Sequence, residues 1–196
     1  MRKVVLLDLD DTINECGKQF WSLHEQHFGE LIDQNDVIDW DLAKFSSKGK
    51  EVYHLFTTPG FFRSLELKRY AETLVKNLNE RYDLYFVTDA PSGTSHCDEG
   101  LEFANPVADK RKWVEQHFPF FDASKIIFCA HKWMVIGDVL VDDKPATFYE
   151  FQKRGRPFIL MDAPHNRSIE TKYRAHSLED VERMVNELLY EQNERS

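Results

Sequence analysis

The stretch MRKVVLLDLDDT (residues 1–12) joins two features that ordinary surface strands keep apart. Val4, Val5, Leu6 and Leu7 make a continuous apolar, partly β-branched run, the pattern of a strand covered on both faces. The run ends at once in Asp8, Leu9, Asp10 and Asp11. Three carboxylates crowded at the end of a buried strand repel one another and lose solvation, so each is costly unless a cation or a reaction uses it. The two-residue spacing lets Asp8 and Asp10 project toward one crevice, one as nucleophile and the other as acid or base. Asp11 reads as a turn acid.

Outward from this strand, similar runs recur at Leu84–Thr88, Lys125–Cys129, Val139–Val141 and Pro157–Met161. Helical periodicities at Ala71–Arg81 and Lys110–Phe118 alternate with them, and Ser177 opens SLEDVERMVNELLYEQ with a Ser-x-x-Asp cap. Strands alternating with helices predict an α/β protein with a parallel, doubly wound sheet. Ile13–Leu67 breaks the rhythm: it is too long for one crossover and rich in His, Trp and Phe. It predicts a helical insertion with pieces around Cys16–Phe28 and Lys50–Thr57, separated by the acidic stretch DQNDVIDWD, which reads as a solvated loop. A second irregular stretch, Ala90–Pro106, follows directly on a strand, where α/β proteins place ligand loops.

The other strand ends repeat the signal at the first. Phe86-Val87-Thr88 ends in a hydroxyl, Val141-Asp142-Asp143 in two acids, and Lys132 lies ten residues before Asp142. Asp8 and Asp142 can hold a hard divalent cation through oxygen, Thr88 can donate to a phosphoryl oxygen, and Lys132 can neutralise its charge. Phosphoryl transfer needs little beyond such positioned charges. Neither His24 with His27 nor His96-Cys97-Asp98-Glu99 supplies four well-spaced ligands, and both groups read as solvated surface. Phe20, Trp21, Phe61 and Phe62 read as packing.

Composition narrows the partners. With 196 residues, 42 % hydrophobic and 13 % aromatic, the chain suits one packed domain, or one domain carrying an insertion. A formal charge of -9 repels long nucleic acid but leaves room for a small phosphorylated substrate at a local cation site. No apolar run approaches a membrane span and the start lacks a signal-peptide pattern, so a cytoplasmic protein without a membrane partner is expected. Cys16, Cys97 and Cys129 are widely spaced and read as free thiols.

As a set, DLDDT at 8–12, FVTDA at 86–90, Lys132 and DVLVDD at 138–143 resemble the four motifs of the haloacid dehalogenase superfamily of aspartyl-phosphate phosphatases. Within it, GFFRSLEL at 60–67, KRKWVEQHF at 110–118 and the Lys132–Asp143 interval are similar to the 5'(3')-deoxyribonucleotidases. The resemblance implies a Rossmann-like core from residues 1–13 and 68–196, with a helical cap at 14–67 inserted after the first strand. It implies Mg²⁺-dependent hydrolysis of (deoxy)ribonucleoside monophosphates. Asp8 would attack phosphorus, and Asp10 would protonate the leaving oxygen and then take a proton from water. Mg²⁺ would be held by Asp8, the backbone carbonyl of Asp10 and Asp142, while Asp143 would orient metal-bound water or Lys132. Thr88 and Lys132 would bind the phosphoryl group, and Trp40 and Phe56 fall near the family's base-stacking positions.

One position departs from the pattern: Asp89 stands where the nucleotidases usually carry a hydroxyl. An acid there repels a phosphate unless it points away or pairs with a base. The rival readings are the same chemistry on another phosphomonoester, such as a sugar phosphate, and a catalytically silent binding protein. Silence is disfavoured because nucleophile, acid/base, hydroxyl, lysine and metal acid are all present.

Overall fold

The computed structural model describes residues 2–91 and 104–194, with side chains through Leu189. Six strands form one sheet: β1 (Val4–Leu7), β2 (Asp83–Thr88), β3 (Ile126–Phe128), β4 (Val139–Asp142), β5 (Phe158–Met161) and β6 (Arg174–Ala175). Their spatial order is β3-β2-β1-β4-β5-β6, and every pairing is parallel. The order reverses direction between β1 and β4, the topological switch where open α/β sheets form a crevice beyond the strands' carboxyl ends.

Alternation along β1 divides the molecule into layers. Val5 and Leu7 join the core cluster holding Leu74, Val75 and Leu78, together with Trp113, Val114, Val181 and Val185. Leu6 points the other way, into the cluster of Phe148, Phe151 and Phe158. Gly137 precedes β4 against this second face, and a Cβ placed on it would stand 2.6 Å from Leu6 Cγ.

The helices are α1 (Cys16–Phe28), α2 (Ala71–Arg81), α3 (Pro106–His117), α4 (Pro145–Lys153) and α5 (Leu178–Glu194). The cap read at Ser177 is present, with Ser177 Oγ accepting from Asp180 N at 3.1 Å. Neither α4 nor β6 was among the elements expected from sequence.

The long segment between β1 and α2 is less α-helical than its composition suggests. Only α1 is an α-helix; Gln34–Asp36, Leu42–Lys44, Gly49–Thr57 and Phe62–Ser64 are 3₁₀ turns. Local side-chain hydrogen bonds favour the tighter form. Asp33 Oδ1 accepts from Asn35 N at 2.8 Å and Asp41 Oδ1 from Ala43 N at 3.3 Å, so these acids shape turns as well as meet solvent. The segment's two ends meet in an antiparallel bridge between Asn14 and Leu67.

His24 corrects the expectation of a solvated surface. It is fully buried, with Nδ1 against Glu30 O at 3.0 Å and Nε2 against Ser46 Oγ at 2.7 Å. Cys16, Phe20, Trp21 and His24 form one buried face of α1, so the histidine ties that helix to the turns beside it. Phe20, Trp21, Phe61 and Phe62 are buried packing residues, as expected. Cys16 and Cys129 are free thiols, whereas Cys97, His96, Asp98, Glu99 and most of the stretch Ala90–Pro106 lie outside the described residues.

Gly137→Ala tests the packing on the Leu6 face. The added methyl should lower stability by about 1–3 kcal/mol, seen in urea unfolding as a lower midpoint at unchanged slope.

Candidate active site

The parallel register brings three strand ends together. Leu7 pairs with Phe86 on one side and Val141 on the other, so the next residues, Asp8, Val87-Thr88 and Asp142, reach the same lip. Asp8 N donates to Val141 O at 3.0 Å, carrying the pairing one residue past β1. Asp8, Thr88, Asp142 and Asp143 are all buried.

Lys132 rises into this acid ring from the 3₁₀ turn Lys132–Met134, and its side chain is only 2 % exposed. Its Nζ lies 2.8 Å from Asp8 Oδ1 and 2.8 Å from Asp142 Oδ2. Neither of those oxygens receives an aligned hydrogen bond from the described residues, so charge proximity is the contact. Burial alone would lower the lysine's pKa, but Asp142 and Asp8 more than offset this and hold it above its ordinary value.

The carboxylates remain in excess. Burial pushes Asp8 up to about 8 despite the pull of Lys132, with Asp142, Asp10 and Asp143 adding repulsion. Burial raises Asp142 as well. Asp143 goes the other way: burial would raise it, but the hydrogen bond and charge of His165 hold it below the usual carboxylate range. His165 Nε2 is 3.1 Å from Asp143 Oδ2, and that contact raises the imidazole against the opposing effect of burial. One oxygen each from Asp8, Asp142 and Asp143 lies within 4.8 Å of the others. Three buried carboxylates converging on a point and short of positive charge suit a hard divalent cation.

Asp10 and Asp11 turn away from that point. Asp10 Oδ1 accepts from Asn14 Nδ2 at 3.2 Å, and its other oxygen takes a hydrogen bond from Lys110 Nζ. Asp11 is the turn acid expected: its φ is 52°, and Oδ1 accepts from Gly17 N at 2.8 Å, fixing the start of α1. Burial and the charge of Asp143 raise its pKa to about 7.

Lys110 is the member that sequence reasoning missed. It is 2 % exposed and donates to Asp10, to Thr88 Oγ1 at 3.2 Å and to the backbone oxygen of Asp89. The signal was present in α3, whose buried face holds Pro106, Asp109, Lys110, Trp113 and Val114. A lysine in phase with Trp113 and Val114 points inward, and an inward ammonium needs anions to meet it. Asp109 beside it takes Arg63 and the N–H of Gly60, clamping the far end of the long segment onto α3.

Asp8, Asp10, Thr88, Lys110, Lys132 and Asp143 line a cavity of about 310 Å³ that also includes Trp40, Phe56, Phe62, Asp89, Lys144 and His165. Both aromatic candidates therefore face the same space as the acids. Phe56 stacks on Phe20 at 4.6 Å and is held from behind, whereas Trp40 is 46 % exposed and meets His165 edge-on at 5.0 Å. Asp89 does pair with a base, since its Oδ2 lies 3.7 Å from Lys144 Nζ.

The parallel sheet and its strand order are those of the haloacid dehalogenase-like fold. The structure aligns with a haloacid dehalogenase-like hydrolase from Streptococcus pneumoniae at a TM-score of 0.63 and 13% identity, covering 94% of this chain and 98% of that one. It also aligns with the HAD-hydrolase YfnB of Bacillus subtilis, solved bound to magnesium, at a TM-score of 0.58 and 18% identity over 94% of this chain and 99% of that one. Residues 2–191 match the model of the family "5' nucleotidase, deoxy (Pyrimidine), cytosolic type C protein", and the chain belongs to that family. Membership places it among the phosphoric monoester hydrolases. It is 30% identical over 166 residues to a 5'(3')-deoxyribonucleotidase of Clostridium acetobutylicum, covering 83% of each chain. It is 27% identical over 186 residues to one of Bacillus subtilis, covering 94% of this chain and 99% of the relative.

The electrostatics predict how the cation-free protein responds to pH. Asp8 and Asp11 have folded pKa values above their unfolded ones, so the stability linked to them is complete in acid and is lost as pH rises toward about 8 and 7 respectively. The melting temperature without divalent cation should fall between about pH 5 and pH 8, and added Mg²⁺ should raise it more at the upper pH, with proton release on binding. Equal stabilisation by Mg²⁺ at both pH values would contradict this.

Proposed function

We propose that the protein is a Mg²⁺-dependent, cytoplasmic 5'-nucleotidase that hydrolyses (deoxy)ribonucleoside monophosphates through an aspartyl phosphate on Asp8. The observation that carries this reading is Lys132 held between Asp8 and Asp142 at the base of a cavity also lined by Trp40 and Phe56. In this reading residues 1–13 and 68–196 perform the chemistry, while residues 14–67 act as a cap that supplies the base contacts.

Asp8, Asp142 and the backbone carbonyl of Asp10 would hold Mg²⁺, with Asp143 beside them and oriented by His165. When bound, the ion offsets the negative charge of the acid ring and of the phosphoryl oxygens. Thr88 and Lys132 bind those oxygens, and the phosphorus is thereby presented to Asp8. A carboxylate oxygen of Asp8 forms a bond to phosphorus as the bond to the 5'-oxygen breaks, and Asp10 donates the proton that the leaving oxygen needs. Asp10 then removes a proton from the water that attacks phosphorus, releasing phosphate and restoring Asp8. Lys110 and Asn14 fix the direction of the Asp10 carboxyl for both transfers. Burial of the acid ring keeps competing water from the nucleophile.

Phosphate release from a panel of nucleoside monophosphates and sugar phosphates, with Mg²⁺ and with excess chelator, tests the assignment. Nucleotides should be preferred and chelation should abolish turnover; preference for sugar phosphates, or no turnover of any substrate, would contradict it. Asp10→Asn should lose about 10²- to 10⁴-fold in rate on nucleotides and much less on p-nitrophenyl phosphate, whose leaving group needs little protonation.

Replacement of Trp40 or Phe56 by Ala separates base recognition from chemistry. Nucleotide kcat/KM should fall roughly ten- to a hundredfold if the ring stacks on the base, with a much smaller change on p-nitrophenyl phosphate. Equal losses on both substrates would place the aromatic residues in folding rather than in recognition.

A further inference from the structure

Between the groups assigned to phosphoryl binding and those assigned to base stacking runs a polar bridge with no role so far. Asp89 follows Thr88 directly; its Oδ2 lies 3.7 Å from Lys144 Nζ, and that ammonium sits 5.1 Å from the centre of the Trp40 ring. Asp89, Lys144 and Trp40 all line the 310 Å³ cavity. A nucleotide whose phosphoryl group is at Thr88 and whose base is at Trp40 must pass its sugar along this bridge.

We propose that Asp89 is a specificity-determining residue that accepts a hydrogen bond from a free hydroxyl of the substrate's sugar, a proposal that rests on the nucleotidase reading above. Among the described residues the carboxylate has capacity to spare. Oδ1 accepts from Ala90 N at 2.8 Å, which fixes the plane of the group, whereas Lys144 stands at 3.7 Å from Oδ2, too far for a direct hydrogen bond. The side chain is 45 % exposed toward the cavity and solvent.

An ionised carboxylate only accepts, so its complement must be a donor, and the donors on a nucleotide's sugar are its hydroxyls. The same charge repels a second phosphoryl group at that place, so a sugar carrying a free hydroxyl is favoured over one whose hydroxyl is esterified. Lys144 lets the acid stand next to the phosphoryl site: its ammonium offsets the charge of Asp89 at 3.7 Å and lies over the Trp40 ring. A neutral hydroxyl side chain at position 89 would give neither the discrimination for a donor nor the repulsion of a second anion.

The test compares kcat/KM for two 5'-monophosphates of one base, carrying 2'-deoxyribose and 2',3'-dideoxyribose, on the wild-type protein, Asp89→Asn and Asp89→Ser. For the wild type, efficiency should fall by about tenfold or more from the sugar that keeps its 3'-hydroxyl to the one that lacks it, as loss of a hydrogen bond to a charged group requires. In Asp89→Ser the two efficiencies should come within about twofold, and Asp89→Asn, which keeps the shape and one acceptor, should lie between. Equal wild-type efficiency on the two overturns the proposal, and so does a full tenfold fall retained in Asp89→Ser. Loss of all turnover on every substrate in both variants also overturns it, because it assigns Asp89 to something other than reading the sugar. Failure of the wild type to hydrolyse either of the two would strike the nucleotidase reading itself, a result distinct from equal turnover of both.

Discussion

The site depends on one ammonium group. Lys132 is withdrawn from water and set between two carboxylates from adjacent strand ends, Asp8 after β1 and Asp142 at the end of β4. Without it, two like charges would face each other in a low-dielectric pocket, where their repulsion is many times stronger than in water. Loss of one partner from such a buried group typically costs about 3–5 kcal/mol, because the remaining charges are left unmatched. Lys132 therefore permits the acids to be crowded, and the proposed chemistry requires that crowding.

The second lysine repeats the arrangement on the other side of β1. Lys110 reaches in from α3 and meets Asp10, Thr88 and the backbone of Asp89. Asp8 and Asp10 thus have separate counter-ions from separate elements, which is what the distinct roles proposed for them require although only one residue lies between them. The clamp of Asp109 onto Arg63 and Gly60 joins α3 to the segment that bears Phe56 and Trp40. Asp10, through Lys110 on α3, and the segment with the two aromatic residues are therefore positioned through a shared set of contacts.

The fold was legible in the sequence because its strands are continuous apolar runs ending in polar chemistry, a pattern that survives without any neighbour's help. Asp8, Asp142, Thr88 and Lys132 could be placed for the same reason, since each lies at a strand end or a short step from one. Lys110 was not, because its signal is the phase of a helix whose start at Pro106 lies outside the stretch read as helical. His24 was misread for a related reason: a histidine looks polar in isolation, and only its register with Cys16, Phe20 and Trp21 shows that it points inward. Two of the 3₁₀ turns of the long segment, Gln34–Asp36 and Leu42–Lys44, open on Asp33 and Asp41 bonding to nearby backbone, a local competition that hydrophobic periodicity does not reveal. The partnership of Asp89 with Lys144 joins residues from two strand ends and needed the tertiary structure.

The central claim is that Asp8, rather than water held by the acid ring, forms the bond to phosphorus. Borohydride reduction of the protein during steady-state turnover of a nucleoside monophosphate, followed by mass analysis of its peptides, tests this most directly. An aspartyl phosphate is reduced to homoserine, so the account predicts that modification at Asp8, dependent on substrate and on Mg²⁺. Full turnover with no modified peptide, or modification at Asp142 in place of Asp8, would contradict it.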